Sequence, residues 1–265
     1  MSAYRRLIEL FPLRLVGEHR YSCTFTPALA RPDGGLYGGS GLGLAVAAGE
    51  RAAGRPCRWC TVQHLGPAAI GEQITIDVHH DAVGRSVSQL RVSACIAGRP
   101  LFNALAAHAE PQRANLAATF AEFPRVTSPE DSPVLMAARR HDEGTPNMLS
   151  MVDVRQALPL TPIAHDERFA VWVRLHDIAP CAPVLGYLSD WVAPEVLRRM
   201  HLTGGGMSLD TTLRLGEVDI TEWVLVEMRA DMVVSGFGTG SVLMWSTNGT
   251  LVAVAEQTAV LRPAA

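Results

Sequence analysis

Slid along itself by 150 residues, this chain meets its own second half. The stretch Leu65-Gly66-Pro67-Ala68-Ala69-Ile70-Gly71-Glu72 lies over Leu215-Gly216-Glu217-Val218-Asp219-Ile220-Thr221-Glu222, and four of the eight positions are identical. Without a gap, 10 of 47 positions agree between 37–83 and 187–233, including Tyr37/Tyr187, Thr61/Thr211, Asp81/Asp231 and Val83/Val233. Agreement at one fixed offset over that length marks a duplication. The fold must therefore place two like units in one chain, and 265 residues suffice to bury a real core.

The local pattern says what the unit is. Ile74, Ile76 and Val78 alternate with Gln73, Thr75 and Asp77, the period of a half-buried strand, and Val224, Val226 and Met228 repeat it. Leu90, Val92, Ala94 and Ile96 alternate with Gln89, Arg91, Ser93 and Cys95 before Gly98-Arg99-Pro100 turns into the apolar run 101–109. Its counterpart is Asn248-Gly249, a hairpin signal between 241–247 and 251–261. An Ala- and Leu-rich stretch predicts a helix over 40–53. A second follows Pro194, a residue tolerated in a first helical turn, runs to about Met200 and is expected to stop at Gly204-Gly205-Gly206. With opening strands over about 21–26 and 169–176, each half reads as strand, helix, then four strands, an α+β arrangement. The halves span 1–112 and 166–265. Between them, 113–165 carries Pro124, Pro129, Pro133, Pro146, Pro159 and Pro162 and is expected to be a connection crossing the surface with short helical pieces.

Composition closes off several functions. Hydrophobic residues at 48% and charged residues at 18% describe an ordered globular chain. A net charge of -3 without a basic stripe excludes nucleic acid and an anionic membrane surface as partners. No run reaches the roughly 18 apolar residues of a membrane span. The basic start Met1–Arg6 is followed by an apolar stretch too short for a signal peptide, so a cytoplasmic protein is expected. Cys57-Arg58-Trp59-Cys60 has redox or zinc spacing but lacks a second ligand pair and the strand-to-helix turn of a redox site, so its cysteines are read as ordinary thiols. His64, His79, His80 and His108 fall in strands without metal-ligand spacing. Gly38-Gly39-Ser40-Gly41-Leu42-Gly43 misses the dinucleotide register, and no G-x-S-x-G elbow is present.

Several phrases, in order, resemble the type II acyl-CoA thioesterases. In the first half these are Leu36-Tyr37-Gly38-Gly39, Val83-Gly84-Arg85-Ser86-Val87-Ser88 and Gly98-Arg99-Pro100-Leu101-Phe102. In the second they are Tyr187-Leu188-Ser189-Asp190, Glu222-Trp223-Val224-Leu225, Gly249-Thr250-Leu251-Val252-Ala253 and Gln257. The resemblance implies a double hot-dog fold, hydrolysis of the thioester of fatty acyl-CoA, no cofactor, and self-association into a homo-oligomer. Its catalytic Asp, Thr and Gln fall at Asp190, Ser208 and Gln257. The chain departs from the family at Ser40, where Gln is usual, and at Thr211-Thr212, where a His-Ser pair is usual.

Thioester hydrolysis needs a positioned water, an acceptor for its proton and donors for the oxyanion. Asp190 would accept, Ser208 and Gln257 would hold the water, and backbone N–H groups of Gly38 and Gly39 would serve the oxyanion. At an offset of 150, Asp190, Ser208 and Gln257 stand opposite Ser40, Arg58 and Ala107, so this set occurs in the second copy alone. Plainer readings stand beside these: Asp190 as a helix cap, Ser208 as a strand-entry hydroxyl, Gln257 on an exposed strand face. The rival functions are a non-hydrolytic acyl-CoA or acyl-chain binding protein of the same fold, and a hydratase.

Overall fold

The computed structural model describes residue 7 and residues 9–111, 116–137, 147–159, 169–217 and 221–264. The basic start and residues 218–220 of the repeated phrase lie outside these, as do parts of the connection between the halves. The first half contains β1 (Arg14–Gly17), β2 (Arg20–Thr24), α1 (Gly38–Ala53), β3 (Cys57–His64), β4 (Gln73–Val83), β5 (Val87–Ile96) and β6 (Arg99–Ala109). β7 (Val134–Met136) and β8 (Val152–Gln156) follow. The second half contains β9 (Phe169–Leu175), α2 (Ala182–Tyr187), α3 (Val192–Arg199), β10 (Gly204–Leu215), β11 (Val224–Val234), β12 (Phe237–Ser246) and β13 (Leu251–Pro263).

All strands join one sheet of 13, ordered β1-β2-β4-β5-β6-β3-β10-β13-β12-β11-β9-β8-β7. The halves meet where β3 pairs antiparallel with β10, and for six strands outward from there the order is the same in both directions, with β7 added beyond β8 on one side. Thr61 faces Thr212 there, Cys60 faces Leu213 and Val62 faces Thr211. Such a ladder is symmetric about the Thr61–Thr212 pair, as in an isologous interface between identical subunits.

That symmetry refines the repeat. In β4–β5 and β11–β12 the ungapped offset of 150 holds, and the identical Asp81 and Asp231 are the bulged residues of matching strands. In β3 and β10 the bulges fall at Arg58 and Leu209, one residue further apart, so the offset there is 151. The structural counterpart of Ser208 is therefore Cys57, not Arg58. By the same shift in β6 and β13, that of Gln257 is Ala106, not Ala107.

Alternation decides which faces are buried. Leu90, Val92, Ala94 and Ile96 point into the core while Gln89, Arg91 and Ser93 face solvent. α1 is apolar on every side and is buried from Gly38 through Gly49, so the sheet curls around it. It starts two residues earlier than the sequence reading places it. α3 ends at Arg199, and His201 then takes left-handed backbone (φ 56°). The glycines at 204–206 open β10 instead of terminating the helix, because β13 pairs with them.

The connection corrects a second expectation. It is more than a surface strap, since β7 and β8 extend the sheet and Met148, Val152 and Val154 enter the main core. Another part of it does run over the outer face of the second half. There Ala121, Phe123 and Val126 cover Trp172, Trp223, Leu225 and Trp245. Phe123 meets Trp245 edge to face at 5.7 Å, and Trp172 Nε1 donates to the Thr127 carbonyl at 2.8 Å. Fully burying a side chain such as Leu225 contributes about 1.5–3 kcal/mol, which explains why a Pro-rich segment stays on this face. No helix among the described residues is long and apolar enough to cross a membrane.

Candidate active site

The two halves differ most where α1 is continuous and its counterpart is broken. α2 stops at Tyr187 and α3 begins at Val192, leaving Asp190 in the gap. Freed from a helix, its carboxylate reaches the other half: Oδ2 accepts the Gly39 N–H at 3.1 Å. Gly39 lies in the first turn of α1, whose N–H groups have no partner inside the helix and carry the positive end of its dipole. Asp190 therefore sits at the start of α1, not as the cap of α3. That helix has no side-chain cap, and its Val192 N–H is taken instead by Gln257 Oε1 at 3.1 Å.

This bond fixes the amide of Gln257. With Oε1 facing Val192, Nε2 must face the opposite way, toward Asp190 Oδ1, Ser208 Oγ at 3.0 Å and Thr211 Oγ1 at 3.3 Å. Ser208 Oγ donates to Asp190 Oδ1 at 3.0 Å. Gln257 is 3% exposed, on the inward face of β13 with Ala255 and Ala259, which excludes the exposed-face reading. Ser208 owes its direction to the bulge. Three residues from Thr211, it would face the opposite side of a regular strand, and the extra residue Leu209 turns both inward.

Asp190, Ser208 and Gln257 thus converge, while Gly38 and Gly39 lie against them from the first half. Gly39 differs from its expected part, because its N–H is bonded to the Asp190 carboxylate. Gly38 is needed for space: a Cβ there would stand 2.5 Å from Asp190 Oδ2 and 2.6 Å from Ser208 Oγ. Tyr37 donates its hydroxyl to the Asp190 carbonyl at 3.3 Å, and burial followed by the charge of Asp190 raises its phenol well above the usual range.

Sequence reasoning missed two neighbours. Thr211, fully buried, adds a hydroxyl to the Gln257 amide. His64 ends β3, and its ring lies where a Cβ on Gly41 would be 2.8 Å from Cε1. Burial pushes the His64 imidazole below its ordinary pKa, while Asp190 and Asp210 pull it back up. No sequence pattern links His64 to Asp190, since sheet register and a helix from different halves bring them near.

Among the described residues no group of three or more His, Cys, Asp or Glu is placed to hold a metal ion. All five cysteines are free. Burial pushes the thiol of Cys60 up to about 12 and raises that of Cys57 further, which keeps both protonated.

Residues 129–261 match the acyl-CoA thioesterase C-terminal domain family, and residues 27–109 match the acyl-CoA thioesterase N-terminal domain family. Among solved structures, a candidate thioesterase from Novosphingobium aromaticivorans is 27% identical. The match covers 94% of this chain and 98% of that one, with a TM-score of 0.85. An acyl-CoA thioesterase II from Mycobacterium marinum is 19% identical, with 98% of this chain and 99% of that one covered and a TM-score of 0.77. A hot-dog-fold protein from Alicyclobacillus acidocaldarius is 19% identical over 98% of this chain and 99% of that one, with a TM-score of 0.80. The last two likenesses bear on the fold alone. No curated protein matches the chain at a significant level.

Proposed function

Since the chain belongs to the acyl-CoA thioesterase family, we propose that it hydrolyses the thioester of fatty acyl-CoA with a water activated at Asp190. The observation that carries this reading is the convergence of Asp190, Ser208 and Gln257 at the start of α1. A carboxylate that holds its neighbours through three hydrogen bonds is fixed in place before substrate arrives, which is what general-base catalysis requires.

In this mechanism the water oxygen attacks the thioester carbonyl carbon and its proton passes to the Asp190 carboxylate. Ser208 and Gln257 orient the water. The tetrahedral oxyanion collapses, the C–S bond breaks, and the CoA thiolate leaves and takes up a proton. The N–H of Gly38, the first residue of α1, is the oxyanion donor, given that Gly39 N–H is bound to Asp190. We read the two halves as tandem hot-dog units with bounds at 1–112, 113–165 and 166–265. The same reading has the protein working in the cytoplasm and self-associating, which light scattering tests.

A free-thiol assay across short to long acyl-CoAs tests the function. Wild type should release thiol, and Asp190→Ala should lower turnover at least about 100-fold with its melting transition retained. Equal turnover would reject Asp190 as the base. Acyl-CoA binding without thiol release by wild type would select the non-hydrolytic reading.

A further inference from the structure

His64 comes from the first half, whereas Asp190, Ser208 and Gln257 come from the second. It extends inward from the end of β3, on the face that also carries Cys60 and Val62. The residue is half-buried, and its Nε2 is sealed from solvent and has no hydrogen-bond partner among the described residues. Buried polar nitrogens are normally bonded, so an orphan of this kind needs an account.

The glycines of α1 locate it. Gly38 lies against Asp190 and Ser208, and Gly41 lies against His64. Residues three apart on a helix share a face, so the imidazole is one helical turn from the carboxylate, along the face of α1 that both glycines let these side chains approach closely. His108 is a useful contrast. Its Nε2 is also unpartnered, but the ring is anchored through Nδ1 to the Arg55 carbonyl and is closed in by Gly49 and Leu90. In the neutral His108 ring Nδ1–H donates to the Arg55 carbonyl and Nε2 is left as an acceptor, whereas His64 adjoins the site of the reaction.

We propose that His64 is a further catalytic residue, whose Nε2–H donates to the carbonyl oxygen of the thioester and to the oxyanion formed from it. This rests on the thioesterase reading given above. The assignment to the oxyanion side follows from chemistry. Asp190 supplies the acceptor for the water's proton, so what remains to be met is negative charge on oxygen, and a neutral imidazole with Nε2 protonated donates to it. Burial, acting against the two aspartates, keeps the ring on the neutral side. His64 holds its proton through the step, and water, Asp190 and the departing thiolate balance the rest. The active site would then be assembled from both halves, with base and water holders from one and oxyanion donors, Gly38 and His64, from the other.

Thiol-release kinetics on the full chain test this with His64→Phe and His64→Gln. His64→Phe should lower kcat about 100- to 1,000-fold while KM moves less than about threefold, the pattern of a bond made in the transition state. His64→Gln, which keeps an N–H donor, should recover at least about tenfold of that loss. A kcat for His64→Phe within twofold of wild type, or equal kcat for Phe and Gln, overturns the proposal while leaving the thioesterase reading intact. Absence of turnover in wild type overturns both. Because the variants also probe folding, the wild-type ring is read directly. Its Nε2 nitrogen resonance should shift on saturation with a dethia acyl-CoA, in which CH2 replaces sulfur and the carbonyl is kept. No shift on saturation overturns the assignment.

Discussion

The hydroxyls of Thr61 and Thr212 touch at 2.7 Å across the ladder that joins the two halves. They are structural counterparts, so the local two-fold of the molecule passes between them. Removing one hydroxyl leaves the other without this partner, whereas removing both substitutes an apolar contact of similar shape. Thr61→Val or Thr212→Val alone should cost about 1 kcal/mol, and the double variant clearly less than the sum. Urea titration of the four proteins measures the coupling, and strict additivity would show the contact to be energetically idle.

Gly38 separates stability from activity. Alanine is the better helix former by at most about 1 kcal/mol, which offsets part of the crowding its Cβ introduces, so Gly38→Ala should stay folded with only a modestly lower melting transition. Its Cβ would nonetheless stand 2.5 Å from Asp190 Oδ2 and 2.6 Å from Ser208 Oγ, and those side chains must move. Turnover should fall about 100-fold, since displacement of a positioned base by a fraction of an ångström removes much of its benefit. Retained turnover in a folded Gly38→Ala protein would mean that the three-residue cluster is not where chemistry occurs.

Gln257→Glu keeps an oxygen for the Val192 N–H and replaces the amide donor with a second carboxylate against Asp190 Oδ1. Two adjacent carboxylates cannot both ionise without cost, so one of them binds a proton near neutral pH. At pH 7 turnover should drop at least about 100-fold. Thermal melts by circular dichroism should show Gln257→Glu gaining stability relative to wild type as pH falls from 7 to 5, because the folded variant binds a proton there that its unfolded chain does not.

Acid stability should depend on His108. Burial holds its pKa at about 4 against an ordinary 6.5, with the Arg55 carbonyl opposing and His80 adding a smaller depression. The unfolded chain therefore binds a proton between these limits that the folded chain refuses. Stability from this group is complete above about pH 6.5 and declines as pH falls toward 4. At about 1.4 kcal/mol per pH unit, the loss is on the order of 3 kcal/mol. Urea midpoints for His108→Leu should show a flatter slope between pH 6.5 and 4 than wild type, and an unchanged slope would remove His108 as the cause.

The chain by itself determined the elements and their repetition. Strand alternation over 73–78 and 89–96, the Asn248-Gly249 hairpin and the recurrence at 150 residues all depend on near neighbours or on identity, which sequence displays directly. It also named Asp190, Ser208 and Gln257 as companions, through resemblance to a family. Tertiary structure decided the rest. A bulge at Leu209 turned Ser208 inward and moved its counterpart from Arg58 to Cys57. The break between α2 and α3 let Asp190 leave its own half and reach Gly39. Sheet pairing drew Val152 and Val154 from a Pro-rich connection into the core and brought His64 beside the site. These outcomes hinge on one-residue changes of register and on contacts between residues far apart in the chain, and local periodicity is blind to both.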